Sequence, residues 1–166
     1  MIIEKTPTKK EVILQALESV KDPEIPVLSV IDLGMITDVI VNNDDYVIIK
    51  MVPTYSACPA IAVIKNSIKS KIESLNIGTT TVVVENDKKW STNFLSEKGK
   101  RALEGFKIST AQPVSNEVTH EQVVEAKCPH CGSDNTTLNS VFGSTLCRST
   151  HYCFDCKQLF EKFKPI

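Results

Sequence analysis

The chain has 166 residues, 42% of them hydrophobic and 23% charged, an ordinary globular composition that excludes general disorder. Lys plus Arg (19) against Asp plus Glu (20) gives a formal charge of −1, so no bulk electrostatic term draws the protein to nucleic acid or to an anionic membrane. No apolar run approaches the roughly 18 residues of a membrane span, and the opening "MIIEKTPTKKE" lacks the apolar core of a signal peptide. A cytoplasmic protein is expected, with its six cysteines serving as metal ligands or reactive groups rather than as disulfides.

In chain order, Thr8 and Glu11 stand in capping-box spacing, and Ile13, Leu17 and Val20 share one helical face before Asp22-Pro23 stops it. This predicts a helix over about residues 9–20. "MITDVIVNNDDYVIIKMVP" has β-branched runs on either side of a turn cluster and reads as a hairpin. Ile61, Ile64, Ile68, Ile72 and Leu75 recur at intervals of three and four, the apolar stripe of a helix lying on a sheet. "TTTVVVE" is then a strand, and "LSEKGKRALEGF" a last helix capped by Ser96. The order α-β-β-α-β-α suggests a small α/β (α+β) sandwich over residues 1–108. Residues 109–124 are polar and lack sustained periodicity, which marks a linker, and a second unit of residues 125–166 begins with the cysteines.

That second unit is too short for a large hydrophobic core, so a metal crosslink is the natural source of its stability. It holds two CxxC pairs, Cys128/Cys131 and Cys153/Cys156, separated by 21 residues. In each pair the two-residue spacer lets both sulfurs reach one ion while backbone N–H groups point at them. Two such knuckles make a tetrahedral thiolate site suited to structural zinc, although the same ligands also suit iron in a rubredoxin-like site. Gly132 permits the turn after the first knuckle. Cys147 has poor knuckle spacing and reads as a small apolar residue packed near the metal, with a second-metal role left open. His130 and His151 are expected to be exposed or to lie outside the ligand set, because four thiolates already saturate zinc. Phe142, Tyr152, Phe154, Phe160 and Phe163 are expected as core. A stacking surface for nucleic acid is disfavoured, since five basic residues against four acidic ones from Glu125 onward give no basic patch.

The sixth cysteine, Cys58, stands alone in "PTYSACPA". Pro59 suits the first helical position, which would make Cys58 the N-cap and lower its thiol pKa through the helix-start dipole. Packing and chemistry both remain open for it on spacing alone. Thr54, Tyr55 and Ser56 add hydroxyls around the same helix start. In "KDPEIPVLSVIDLG", Asp22, Glu24 and Asp32 stand among Pro23, Pro26 and Gly34, so a stiff loop presents carboxylates that would serve as an oxygen ligand, as a base, or merely as a helix terminator. Trp90 reads as a core aromatic. No base lies near Cys58 in sequence to make it a catalytic nucleophile.

"DPEIPVLSVIDLGMI", "PTYSACPA" and "WSTNFLSEKGKRAL", in this order, resemble the iron–sulfur assembly domain of cytosolic iron–sulfur targeting factors and SufT-type maturation proteins. The ending "CPHCGS…SVFGSTLCRSTHYCFDC…FEKFKPI" narrows the resemblance to the PaaD-like accessory subunits of phenylacetate-CoA oxygenase (phenylacetyl-CoA epoxidase) systems. The resemblance implies a non-catalytic factor in phenylacetate catabolism that assists iron–sulfur or other metal-centre assembly in a multicomponent oxygenase. Carried over to this chain, the acidic-proline motif falls on Asp22, Pro23 and Glu24, and the Thr-x-x-x-Cys motif on Thr54 and Cys58. It makes Cys58 a functional thiol for transient iron or a labile cluster. One cysteine does not hold a cluster alone, so the remaining ligands are expected from a second copy in a homodimer, a small thiol, or the iron or iron–sulfur client protein. An adaptor that only docks another metalloprotein through its ribbon is the alternative.

Overall fold

The structure is a computed structural model that describes residues 6–42, 46–110, 112–114 and 117–166. Asn43, Asp44 and Asp45 of the expected turn, and residues 111, 115 and 116 of the expected linker, lie outside the described residues.

Helix α1 (Lys9–Leu17) begins as expected, with the Thr8 side chain accepting from the Glu11 N–H and the Glu11 carboxylate accepting from the Thr8 N–H. It ends about one turn earlier than its periodicity suggested, because the chain leaves the helix at Glu18 through tighter turns; Val20 is buried all the same. Strands β1 (Ile36–Asn42) and β2 (Tyr46–Met51) pair antiparallel. Helix α2 (Ile61–Glu73) carries the chain across to β3 (Thr79–Val84), which runs parallel to β2. The sheet order is β1-β2-β3. Ile64, Ile68 and Ile72 of α2 are fully buried, as are Ile13 and Leu17 of α1. Each such side chain contributes roughly 1.5–3 kcal/mol of burial. Helix α3 (Glu97–Gly105) is capped by Ser96, whose hydroxyl accepts from the Gly99 N–H. These elements make the mixed α/β unit expected from the sequence.

At the start of the expected linker the short strand β4 (Ile108–Ser109) straddles its boundary with the first unit, and it is followed by a five-residue helix, α4 (His120–Val124), that opens with a Thr119/Gln122 capping box. The last stretch folds as β5 (Thr136–Ser140), β6 (Arg148–Cys153) and β7 (Leu159–Phe163). Together with β4 they form a sheet of order β4-β7-β6-β5, in which β4 runs parallel to β7 and the other pairs are antiparallel. Buried Lys162 on β7 donates to the carbonyls of Gln122 and Glu125, which ties the end of α4 to this sheet.

The two sheets share a core. Cys147 and Phe163 are buried in the same cluster as the side chains of α1, α2 and β2, and the Trp90 and Phe163 rings lie 5.6 Å apart. Trp90 is core, as expected, and its indole N–H donates to the Leu33 carbonyl at 2.7 Å. The ribbon's own core is small, comprising Ala126, Cys128, Cys153 and Phe160 with Cys156 against it. Phe160 and Phe163 are therefore core residues, whereas Phe142 and Phe154 are exposed, because the ribbon has too little interior to cover them. Among the described residues, no helix is long and apolar enough to cross a membrane.

Candidate functional site

Two cysteine-bearing regions stand apart. In the ribbon, one sulfur from each of Cys128, Cys131, Cys153 and Cys156 lies within 4.8 Å of all the others. The Cys128–Cys156 and Cys131–Cys153 sulfurs are 3.6 Å apart. Tetrahedral zinc with bonds of about 2.3 Å sets its sulfurs about 3.8 Å apart, so the four donors fit such an ion with little movement. The knuckle geometry is present too: the Gly132 N–H donates to the Cys128 carbonyl, and Gly132 has φ +77°, a value that favours glycine. The backbone N–H of Cys156 points at the Cys153 sulfur and brings that thiol down to about 7. His130 is exposed, as expected. His151 is fully buried, stacked on Phe160 with its Nε2 3.0 Å from the Ser149 hydroxyl, and it stands outside the four-sulfur group.

The second region centres on the loop between α1 and β1. The chain folds back on itself there: the Asp22 N–H donates to the Leu28 carbonyl and the Val30 N–H to the Val20 carbonyl, each at 3.0 Å. Asp22 is buried, and its Oδ1 accepts from the backbone N–H groups of Glu24 and Ile25, both at 2.8 Å. Its role is thus to shape the loop and aim Glu24. Asp32 faces other partners. Its Oδ2 accepts from the Ser29 N–H and hydroxyl and its Oδ1 from the Ser96 hydroxyl, so it ties the loop to the start of α3. Gly34, at φ +62°, ends the loop where a side chain would collide with the backbone of Phe94.

Glu24 is brought to Cys58. The thiol lies 4.0 Å from Glu24 Oε2, half-buried, at the edge of an open hollow of about 530 Å³ lined by Pro59, Ile61, Lys65, Val84 and Asn86. Asn86 also lines the neighbouring hollow, on which Thr54, Tyr55 and Ser56 stand with Trp90 and Ile166. Thr54 itself is buried.

Two expectations about Cys58 change. The N-cap of α2 is Ala60, and Cys58 lies two residues earlier in a turn closed by its N–H to the Tyr55 carbonyl. Its thiol is also harder to ionise than a free one. Burial raises its pKa first, and the carboxylates of Glu24 and Asp22 and the Cys147 sulfur raise it further, against one opposing hydrogen bond from the Ala60 N–H. The helix-start dipole falls off within a turn and does not offset two nearby carboxylates.

The expectation for Cys147 changes as well. It packs into the larger shared core rather than beside the ribbon cysteines. There its thiol is raised by burial first and by Asp22 and Glu24, and is opposed by the Thr145 hydroxyl, 3.1 Å away, and by Arg148. Arg148 is buried and reaches three ways: Nε to the Thr145 hydroxyl at 2.8 Å, Nη1 to Glu161 at 2.6 Å, and Nη2 to the Glu24 carbonyl at 3.3 Å. The ribbon thus supports the loop that carries Glu24. Arg148 was not singled out in the sequence, and the only signal there was Cys147 itself, a cysteine that fitted neither knuckle.

Comparison with known proteins agrees with this architecture. Residues 10–84 match the family described as iron-sulfur cluster assembly protein, and residues 111–164 match the PaaD zinc beta ribbon domain. A protein of Escherichia coli (strain K12), provisionally named as a subunit of 1,2-phenylacetyl-CoA epoxidase, is 35% identical over 151 residues, covering 90% of this chain and 89% of that protein. An Fe-S protein maturation auxiliary factor of Porphyromonas gingivalis (strain ATCC BAA-308 / W83) is 35% identical over 98 residues, 58% of this chain and 91% of that one. Among solved structures, a domain of unknown function, DUF59, from Bacillus anthracis superposes with a TM-score of 0.54 at 26% identity, covering 57% of this chain and 90% of that chain. The chain belongs to the PaaD-type family, in which an iron–sulfur cluster assembly domain is joined to a PaaD zinc ribbon.

Proposed function

We propose that this protein is a non-catalytic accessory factor that assists metal-centre or iron–sulfur assembly in a multicomponent iron-dependent oxygenase of the phenylacetyl-CoA epoxidase type. Cys58 is the working thiol, and iron or a labile cluster is its cargo. Asp22 shapes the loop, Glu24 presents a carboxylate beside the sulfur, and Thr54 stands at the adjoining hollow. Cys128, Cys131, Cys153 and Cys156 hold a structural zinc that keeps the ribbon folded. The protein works in the cytoplasm, where reduced thiols persist; all six of its cysteines are free.

The observation that carries this reading is the placement of a half-buried thiol 4.0 Å from a carboxylate at an open hollow, in a chain 35% identical to an epoxidase-named relative. A sulfur and an oxygen donor at a surface hollow suit brief possession of iron, since few ligands and ready access favour release.

A docking adaptor is the alternative that a specific observation favours, because Phe142 and Leu159 of the ribbon are 67% and 57% exposed. A pull-down of the co-expressed oxygenase components with metal analysis of both partners separates the two. The assembly reading expects iron in the client to depend on Cys58. The adaptor reading expects client capture and client iron to be indifferent to Cys58 and to depend on the ribbon alone.

A further inference from the structure

We propose that Cys58, Cys147 and Glu24 form a composite binding site for a divalent, iron-like cation, with one thiolate from the assembly domain, one from the ribbon, and a carboxylate between them. It deepens the reading above and rests on Cys58 being the thiol that handles iron. What it adds is the identity of the second sulfur, supplied by the same chain.

Packing and hydrogen bonding bring these groups to one region. Cys58 packs against the buried cluster that contains Cys147, although 89 positions separate the two in the sequence. Glu24 lies 4.0 Å from the Cys58 sulfur, and its carbonyl accepts from Arg148, the residue next to Cys147. Asp22 fixes Glu24 through two backbone hydrogen bonds and stays close enough to act electrostatically on both thiols.

The charge arrangement favours a cation. Two carboxylates beside two thiols disfavour thiolate; Arg148 and Lys164 offset this in part at Cys147, and a divalent ion among the donors reverses the balance. On binding, each sulfur exchanges its proton for the metal, and two protons leave to solvent. Two thiolates with a carboxylate make a mixed sulfur–oxygen donor set that takes ferrous iron or cobalt. The three donors are looser than the ribbon's, since among the described residues the four ribbon cysteines alone form a group of three or more ligands all within 4.8 Å of one another. Looseness suits a site that must give its ion up. The open hollow beside Cys58 supplies the route in and out.

The test uses the full chain with zinc in its ribbon, titrated with cobalt(II) alone, while zinc retention is followed by metal analysis. In the wild type, a sulfur-to-cobalt charge-transfer band is expected from non-ribbon cobalt. Cys58→Ser and Cys147→Ser should each remove about half of it, in proportion to the thiolates bound. Glu24→Gln should weaken the cobalt affinity on the order of tenfold. X-ray absorption on the wild-type cobalt form needs no variant and is expected to count two sulfurs at that cobalt. One sulfur, or a band that Cys147→Ser leaves unchanged while Cys58→Ser diminishes it, overturns the composite site and leaves the Cys58 reading standing. A band indifferent to both serines overturns both.

Discussion

Arg148 of the ribbon donates to the Glu24 carbonyl across 3.3 Å, a contact between residues 124 positions apart that fixes the loop bearing the carboxylate nearest Cys58. The same guanidinium pairs with Glu161 at 2.6 Å, with only 7% of the Arg148 side chain and 24% of the Glu161 side chain exposed. Arg148→Ala leaves Glu161 with only the Ser144 N–H and hydroxyl as partners among its described hydrogen bonds, and releases the loop. We expect a stability loss of about 2–3 kcal/mol in urea unfolding, toward the low end for a buried pair because Glu161 is partly solvated. Cys58 should also be alkylated faster in this variant, which a purely ribbon-local defect would not produce.

Asp32 ties the same loop to α3. Burial alone would raise its pKa, but the hydrogen bonds from Ser29 and Ser96 and the nearby Lys98 ammonium outweigh that and hold it below the ordinary carboxylate value. A folded-state pKa below the unfolded one adds stability that is complete above about pH 4 and is lost as the pH falls through the folded value. Asp32→Asn should therefore be less stable at neutral pH and should flatten the acid limb of the stability profile. An acid limb identical to that of the wild type would contradict this account.

The thiol of Cys58 gives the opposite slope. Its folded pKa is raised, so its contribution to stability is present below the ordinary thiol value of about 8.5 and is lost as the pH rises through the higher folded value. Its alkylation should lag behind that of a small free thiol at pH 8 and catch up only in more alkaline buffer. Glu24→Gln removes one of the charges that oppose ionisation and should shift the alkylation profile to lower pH.

Removing zinc tests how far the ribbon depends on metal. Its own apolar core contains only Ala126, Cys128, Cys153 and Phe160, too little to hold three strands unaided. After chelation, hydrogen exchange should show loss of protection in β5, β6 and β7, while Ile64, Ile68 and Ile72 of α2 keep theirs. Because Cys147 and Phe163 sit in the shared core, slower but measurable loosening should follow around Trp90.

The helices and strands of the first unit were legible because each carries its own period and cap: the Thr8/Glu11 box, the isoleucine stripe of α2 and Ser96 before α3 all occur where the pattern put them. The four ribbon cysteines were legible for the same reason, since knuckle spacing is a local property. Long-range placement was not. Cys147 looked like a ribbon residue because its neighbours in sequence are ribbon residues, and nothing local announces that β6 opens against the loop carrying Asp22 and Glu24. The acidity of Cys58 was misread for a related reason. Pro59 suggested a helix start, but the carboxylates that oppose the thiol, Glu24 and Asp22, arrive from 34 and 36 residues away.

The central claim is that Cys58 handles iron on its way to a client. The most direct measurement is the iron content and activity of the oxygenase purified from cells that co-express it with either the wild-type chain or Cys58→Ala, with ribbon zinc confirmed in both. The account expects the Cys58→Ala preparation to retain its zinc and its fold yet to yield an oxygenase depleted of iron. Equal iron occupancy and equal activity in the two preparations would contradict it.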